Sequence, residues 1–225
     1  MPVSRSACTQ TGWARPVWSV IWYEESPVSV AWSALPRSAE KIGFNTNLFA
    51  LHPFKKETKH LVWLNMRLCF WNKAFLKEQE SKEYKNFAFD KETDAIIFSA
   101  FINSNIFYFF WECISDAWHI TNKDLENIRI DFADFGKDAR NKLSCLYLEF
   151  EKNLETNKDF IGSKQTQYQY QHKKDKILID KIDVFFSDYF HLSKQELLYV
   201  RNYQLKYRMN DEMDNYLKLV AHECY

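Results

Sequence analysis

Ile96–Ile114 reads IIFSAFINSNIFYFFWECI, and the way this run is divided decides the fold. On length alone it would cross a bilayer. Its centre, however, is Asn103-Ser104-Asn105, and Glu112 stands near its end. Polar groups at a bilayer midplane are costly. Two short buried helices broken at Asn103 fit the pattern better than one span, so no membrane partner is expected. Glu92 to Phe101 reads as the first helix, with Ile96, Ile97 and Phe101 in its apolar rows. Ser104 can cap the second, which buries Phe107, Phe110, Trp111 and Ile114.

Downstream, Thr121 and Asp124 resemble a capping box with Asp in place of the usual Glu, which predicts a brief helix through Asn127. Ile128, Ile130 and Phe132 alternate as in a short strand. The clearest helix is 137–157, where Leu143, Leu146, Tyr147, Phe150 and Leu154 share one face. Leu178, Ile182, Phe185, Phe186 and Tyr189 mark another. Ser193 with Glu196 caps a last one ahead of Leu197-Leu198. Upstream, Leu61-Val62-Trp63-Leu64 and Arg67-Leu68-Cys69-Phe70-Trp71 suit a strand or a helix equally. The polar stretch Lys73–Lys91 reads as a helix end and a loop. The expected fold class is α+β: predominantly helical from residue 90 on, with a small mixed or antiparallel strand component and a helical section over 137–217.

Composition divides the chain near residue 40. Residues 1–40 hold four of the five prolines and four of the eight tryptophans, but no lysine or asparagine, whereas all 22 lysines lie from Lys41 onward. Either 1–40 is a Pro-interrupted leader, or it derives from another reading frame or a fusion and is not part of the fold. The domain is then 41–225. The 225 residues, 46% apolar and 17% aromatic, suit one good core or two small ones. Formal net charge is zero, so any nucleic-acid contact must come from a local basic face. Cys8, Cys69, Cys113, Cys145 and Cys224 are far apart, without CxxC or zinc spacing. No metal site or disulfide framework is expected. The first residues lack the apolar core of a secretory signal, which suggests a reducing, cytoplasmic setting.

Two blocks resemble a known family. The first is Phe101-Ile-Asn-Ser-Asn-Ile-Phe-Tyr-Phe-Phe-Trp111, then Ser115-Asp116-Ala-Trp-His119-Ile-Thr121 and Lys123-Asp124-Leu125. The second is Ile179-Asp180-Lys-Ile182-Asp183, Tyr189-Phe-His-Leu-Ser193 and Glu196-Leu-Leu-Tyr-Val200, closing on Asn202-Tyr203-Gln-Leu-Lys206-Tyr207-Arg208-Met209. They are similar to segments of the carboxy-terminal target-recognition region of N6-adenine-specific DNA methyltransferases and type IIG-like restriction–modification enzymes. Gln204 stands where that family's closing signature has an acid. The resemblance runs over roughly residues 60–212. It implies double-stranded DNA as partner, with S-adenosylmethionine belonging to the full-length family.

Family members also carry an Asn/Asp/Ser-Pro-Pro-Tyr/Phe loop for the target adenine and a glycine-bearing cofactor loop. This chain has no Pro-Pro, and Gly12, Gly43, Gly136 and Gly162 are isolated. No catalytic residue and no cofactor site is therefore expected here, and methyl transfer would fall to a separate catalytic methyltransferase part. The alternatives are a helical protein-interaction domain and a truncated, non-functional open reading frame.

DNA-facing candidates follow from side-chain chemistry, since base edges need matching polar groups and phosphates need cations. His119, Thr121 and Lys123 either join two helices or face a phosphate or base from a helix N-terminus. Lys164, Gln165, Gln167, Tyr168, Gln169, Tyr170, Lys173 and Lys174 offer adenine-matching amides, stacking rings and cations. The same run also suits a solvated loop or an edge strand, with Tyr168 and Tyr170 on one face. In the closing signature, Tyr203 and Tyr207 are expected to pack on the preceding helix, while Lys206 and Arg208 reach for phosphate.

Overall fold

A computed structural model describes residues 39–43, 60–68, 70–163 and 167–223. Strands β1 (His60–Asn65), β2 (Ala74–Phe75) and β3 (Tyr84–Phe89) make an antiparallel sheet in the order β2-β1-β3. Val62 stands opposite Phe87, His60 opposite Phe89, and Leu64 opposite Ala74. Strand side chains alternate between faces, and here Val62, Leu64, Phe87 and Phe89 turn into the core while Leu61 stays exposed. The ambiguous Leu61–Leu64 run is thus a strand. The Lys73–Lys91 stretch, expected to be a helix end and loop, holds β2 and β3 instead. Its apolar positions were too few to signal strands, and pairing with β1 supplies the stability that composition does not.

Eight α-helices follow among the described residues: α1 (Glu92–Ile102), α2 (Asn105–Ile114), α3 (Asn122–Glu126), α4 (Lys137–Thr156), α5 (Lys176–Tyr189), α6 (Lys194–Asn202), α7 (Leu205–Met209) and α8 (Met213–Glu223). A ribbon of β4 (Asp159–Phe160) and β5 (Tyr168–Gln169) lies between α4 and α5. The architecture is α+β, as expected. Helix α1 is buried all round from Ala95 to Ile102, the mark of a central helix. It packs on all three strands of the sheet and on α2, α4 and α5. Phe98 meets Phe87 at 5.8 Å and Phe89 at 5.2 Å between ring centroids. Helix α4 turns Leu143, Tyr147, Phe150 and Leu154 inward, the face its spacing predicts.

The 96–114 run breaks at Asn103, and α1 and α2 bend by 65° across the break. Among the described residues no single helix is long and apolar enough to cross a membrane. The break is stabilised by its own polar side chains. Asn103 Nδ2 donates to the carbonyls of Ala74 at 2.8 Å and Ser99 at 2.9 Å. Ser104 Oγ accepts from Phe107 N at 3.0 Å, capping α2 as expected. Both predicted capping boxes form, at Thr121 with Asp124 and at Ser193 with Glu196. Ile128, Ile130 and Phe132 are all buried, yet they make no strand. Ile128 forms one isolated bridge to Gly43, and a 3-10 turn begins at Phe132.

The stretch 39–43 belongs to the packed body. Residues 39–42 form a helical turn, Ala39 and Ile42 are buried, and Lys41 Nζ bonds Glu196 Oε2 at 2.8 Å. Burial opposes ionisation of Glu196, but Lys41 and the Ser193 backbone outweigh it and hold the carboxyl down to about 2. The composition boundary near residue 40 therefore falls inside this turn. Residues 1–38 lie outside the described residues. A Cβ on Gly43 would sit 2.3 Å from the Phe110 ring and 2.6 Å from the Asn127 carbonyl. Gly43→Ala is expected to destabilise by about 1–3 kcal/mol through overpacking, read from the urea midpoint; an unchanged midpoint would detach 39–43 from the body.

Candidate nucleic-acid interface

The first candidate segment leaves α2 through two local turns. Ala117 has φ 56, and Asp116 Oδ1 accepts from Trp118 N at 2.9 Å and His119 N at 3.1 Å. Those backbone donors hold the Asp116 carboxyl below its ordinary value. The chain then runs beside the end of β1. Leu68 N donates to the Trp118 carbonyl at 3.2 Å and Ile120 N to the Met66 carbonyl at 2.9 Å, so His119 faces Arg67 across an antiparallel bridge. Trp118 is 56% exposed, with the Arg67 guanidinium 5.9 Å from its ring centre. His119, Thr121 and Lys123 are all on the surface.

Thr121 is otherwise engaged. Its hydroxyl donates to Asp124 Oδ2 at 2.9 Å and accepts from Asp124 N at 3.3 Å. The Asp124 carboxylate thereby fills the N-terminus of α3 that the spacing offered to a phosphate. An anion there meets a like charge instead of free N–H groups. What remains on the surface at this edge is Trp118, His119 and Lys123, with Arg67 beside them. Arg67 was not a candidate from sequence, because only the bridge to His119 brings it here.

The second segment forms the β4–β5 ribbon. Lys164 and Gln165 lie outside the described residues. Gln167 Nε2 donates to Glu80 Oε2 at 3.0 Å, and Gln169 pairs with Asp159 across the ribbon. Tyr168 is exposed, with Lys158 Nζ 4.1 Å from its ring centre; the same ammonium lies 5.8 Å from the Tyr170 ring. Tyr168 and Tyr170 thus share a face, as a strand requires. Tyr170 is nevertheless buried, its ring tilted against Phe75 at 4.5 Å between centroids, and its hydroxyl donates to Glu155 Oε1 at 2.9 Å. It anchors the ribbon and does not face a ligand. Lys173 forms an ion pair with Asp211, while Lys174 is exposed.

One loop, 76–83, joins the two segments. On one side Arg67 Nη1 bonds Glu83 Oε1 at 3.0 Å, and Met66 N bonds the Glu83 carbonyl at 2.9 Å. On the other, Gln79 and Glu80 receive the ribbon through Tyr170 and Gln167. Segments far apart in sequence therefore flank the same end of the sheet. Charge there alternates in sign, with Glu78, Glu80 and Glu83 among Lys77 and Lys82.

The closing signature is mostly interior. Gln204 takes a left-handed conformation, φ 52, and splits what the spacing predicted as one helix into α6 and α7. Its Oε1 accepts from Tyr108 OH at 2.7 Å, a tertiary bond that holds the break. Tyr203 packs 5.2 Å from Phe109, whereas Tyr207 is 65% exposed and Lys206 is on the surface. Arg208 does not reach for phosphate. It is 3% exposed, its guanidinium lies 4.2 Å from the Trp71 ring centre and 4.1 Å from that of Tyr108, and Nη1 donates to Asn105 Oδ1 at 2.7 Å. Burial lowers its pKa to about 10. Enclosed by two rings, it serves the fold through cation–π and hydrogen-bond contacts.

Arg208 opens onto a buried polar network. Asp183 Oδ1 accepts from Asn105 N at 2.8 Å and Ile106 N at 3.3 Å, and Asn105 Nδ2 donates to Oδ2. Lys176 Nζ pairs with Asp180, whose Oδ2 also accepts from Tyr216 OH at 2.7 Å. Arg201 Nε lies 3.6 Å from Asp180 and 3.9 Å from Asp183. Burial, reinforced by Asp180, pushes the Asp183 carboxyl up to about 6 against the pull of Lys176 and Asn105. Asn105 comes from the first motif block, and Asp180, Asp183 and Arg208 from the second. One or more residues of each block thus meet inside the protein, while the Ser115–Lys123 part of the first block forms the surface edge. Among the described residues, no group of three or more His, Cys, Asp or Glu could hold a metal ion. No family model matches the chain, and neither does any curated protein or solved structure.

Proposed function

We propose that the chain is a non-catalytic DNA-recognition module, of the kind carried at the carboxy end of adenine-specific methyltransferases and restriction–modification enzymes. One observation carries the reading: two segments that expose aromatic and cationic side chains, 116–123 and the β4–β5 ribbon with the turn that follows it to Lys174, flank loop 76–83 at one end of the sheet. Arg67, Lys123 and Lys174 would hold phosphates there, and His119, Gln167 and Gln169 would meet base edges. The convergence of both motif blocks on one buried network supports treating them as parts of a single unit. S-adenosylmethionine chemistry belongs to a separate catalytic part, and the module works beside it in the cytoplasm. A second reading, a protein-interaction domain, draws on the exposure of Phe160, Tyr207 and Trp118.

A net charge of zero leaves binding dependent on a few local cations, so affinity must fall with salt. Each phosphate contact adds about 0.9 to the slope of log affinity against log salt. Replacing Arg67, Lys123 and Lys174 together with Ala is expected to flatten that slope by about 2–3, measured by fluorescence anisotropy on duplex DNA. An unchanged slope would move the DNA away from this edge. Absence of binding at low salt would favour the protein-interaction reading.

A further inference from the structure

The end of α5, Lys41 and the stretch 129–134 line a cleft of about 710 Å³, within the range of small-molecule sites. Helix α5 closes in a Schellman motif, with Leu192 N on the Ser187 carbonyl at 2.8 Å and His191 N on that of Asp188 at 3.3 Å. His191 takes the left-handed conformation there, φ 53, where glycine is usual. Lys41 Nζ donates to the His191 carbonyl at 3.1 Å and to both Glu196 carboxylate oxygens, so its N–H groups are engaged and its charge is balanced. The Tyr189 hydroxyl accepts from Asp131 N at 3.0 Å and donates to Asp134 Oδ2 at 2.9 Å. That phenol keeps its proton, because burial pushes it up to about 12. It ties together the two residues whose carboxylates line the cleft.

Arg129 lines the same cleft and is exposed, its backbone fixed by Arg129 N on the Ile42 carbonyl at 3.1 Å. Among the described residues its guanidinium makes no hydrogen bond or ion pair, even with Asp131 or Asp134. Opposite charges that share a cleft without closing on each other leave room for a ligand that spans them. We propose that the cleft binds a small zwitterion of dipeptide size, its carboxylate on Arg129 and its ammonium on Asp131 and Asp134. A guanidinium fork matches a carboxylate bidentately, and carboxylate acceptors match the three donors of an ammonium. Phe190 and the Tyr189 ring add apolar lining for a side chain. An anion alone would face two acids, and a cation alone would face Arg129, so a ligand that carries both charges is favoured. The site goes beyond DNA recognition and shares no residue with the edge described above.

The test is isothermal titration calorimetry of the full chain with alanyl-phenylalanine, with its carboxamide and with its N-acetyl form. Each blocked peptide loses one charge-assisted contact, so the free dipeptide is expected to bind about tenfold more tightly than either. Arg129→Ala should bring the free dipeptide down to its carboxamide, and Asp134→Asn should bring it down to the N-acetyl form. Both side chains are exposed, so the urea midpoint should not move in either variant. No binding of the free dipeptide, a preference against only one of the blocked forms, or preferences that survive the two substitutions would overturn the site. Each of these results leaves DNA recognition standing, because its salt slope is read on other residues.

Discussion

Asp183→Ala is expected to lower the free energy of unfolding by about 3–5 kcal/mol, the cost of removing one partner from a buried ion pair. The carboxylate is wholly buried and caps the first two N–H groups of α2. Without it, those donors lose their partner and Asn105 Nδ2 loses its closer one. Lys176, 1% exposed, then shares Asp180 with Arg201 and Tyr216. A buried donor left unsatisfied costs about 1–3 kcal/mol by itself. The readout is the urea midpoint, with the slope of the transition unchanged. Exposed Asp159→Ala is the control and should stay within about 0.5 kcal/mol. A loss at Asp183 no larger than at Asp159 would mean that the network does not hold α2 against α5.

Phe101→Ala is expected to cost about 3–5 kcal/mol, the range for deleting a buried phenyl ring. Phe101 has no exposed surface and lies at the junction of three helices: its ring meets Phe107 of α2 at 5.5 Å and Phe186 of α5 at 5.2 Å, with Phe190 at 5.6 Å. A close-packed interior collapses only partly around such a void. The thermal midpoint and the urea midpoint should fall together. Phe160→Ala, removing the same ring from the surface, should change stability little. Similar losses at the two positions would contradict the burial difference between them.

The candidate interface was legible only in part. The Lys, Tyr and Gln of the run at 164–174 marked it as polar and ring-bearing, but nothing local distinguished Tyr168, which is exposed, from Tyr170, which is an anchor. That difference comes from Phe75 and Glu155, contributed by other elements. Phe160 lies ahead of that run, where the sequence Phe160-Ile161-Gly162 is a turn signal. Arg67 carried no signal at all.

What the sequence determined by itself is what nearest neighbours along the chain decide. The break at Asn103, the cap at Ser104, the boxes at Thr121 and Ser193, and the inward face of α4 each depend on residues within about one turn, so spacing suffices to predict them. Tertiary structure alone decided the rest. Strand β3 exists because β1 pairs with it, and the left-handed turn at Gln204 is held by Tyr108. Arg208 illustrates the division most clearly. An arginine near the end of a chain reads as a surface cation, and its charge alone does not say otherwise. Only the meeting of Trp71, Tyr108 and Asn105 around it creates a place where a buried guanidinium is more stable than a hydrated one.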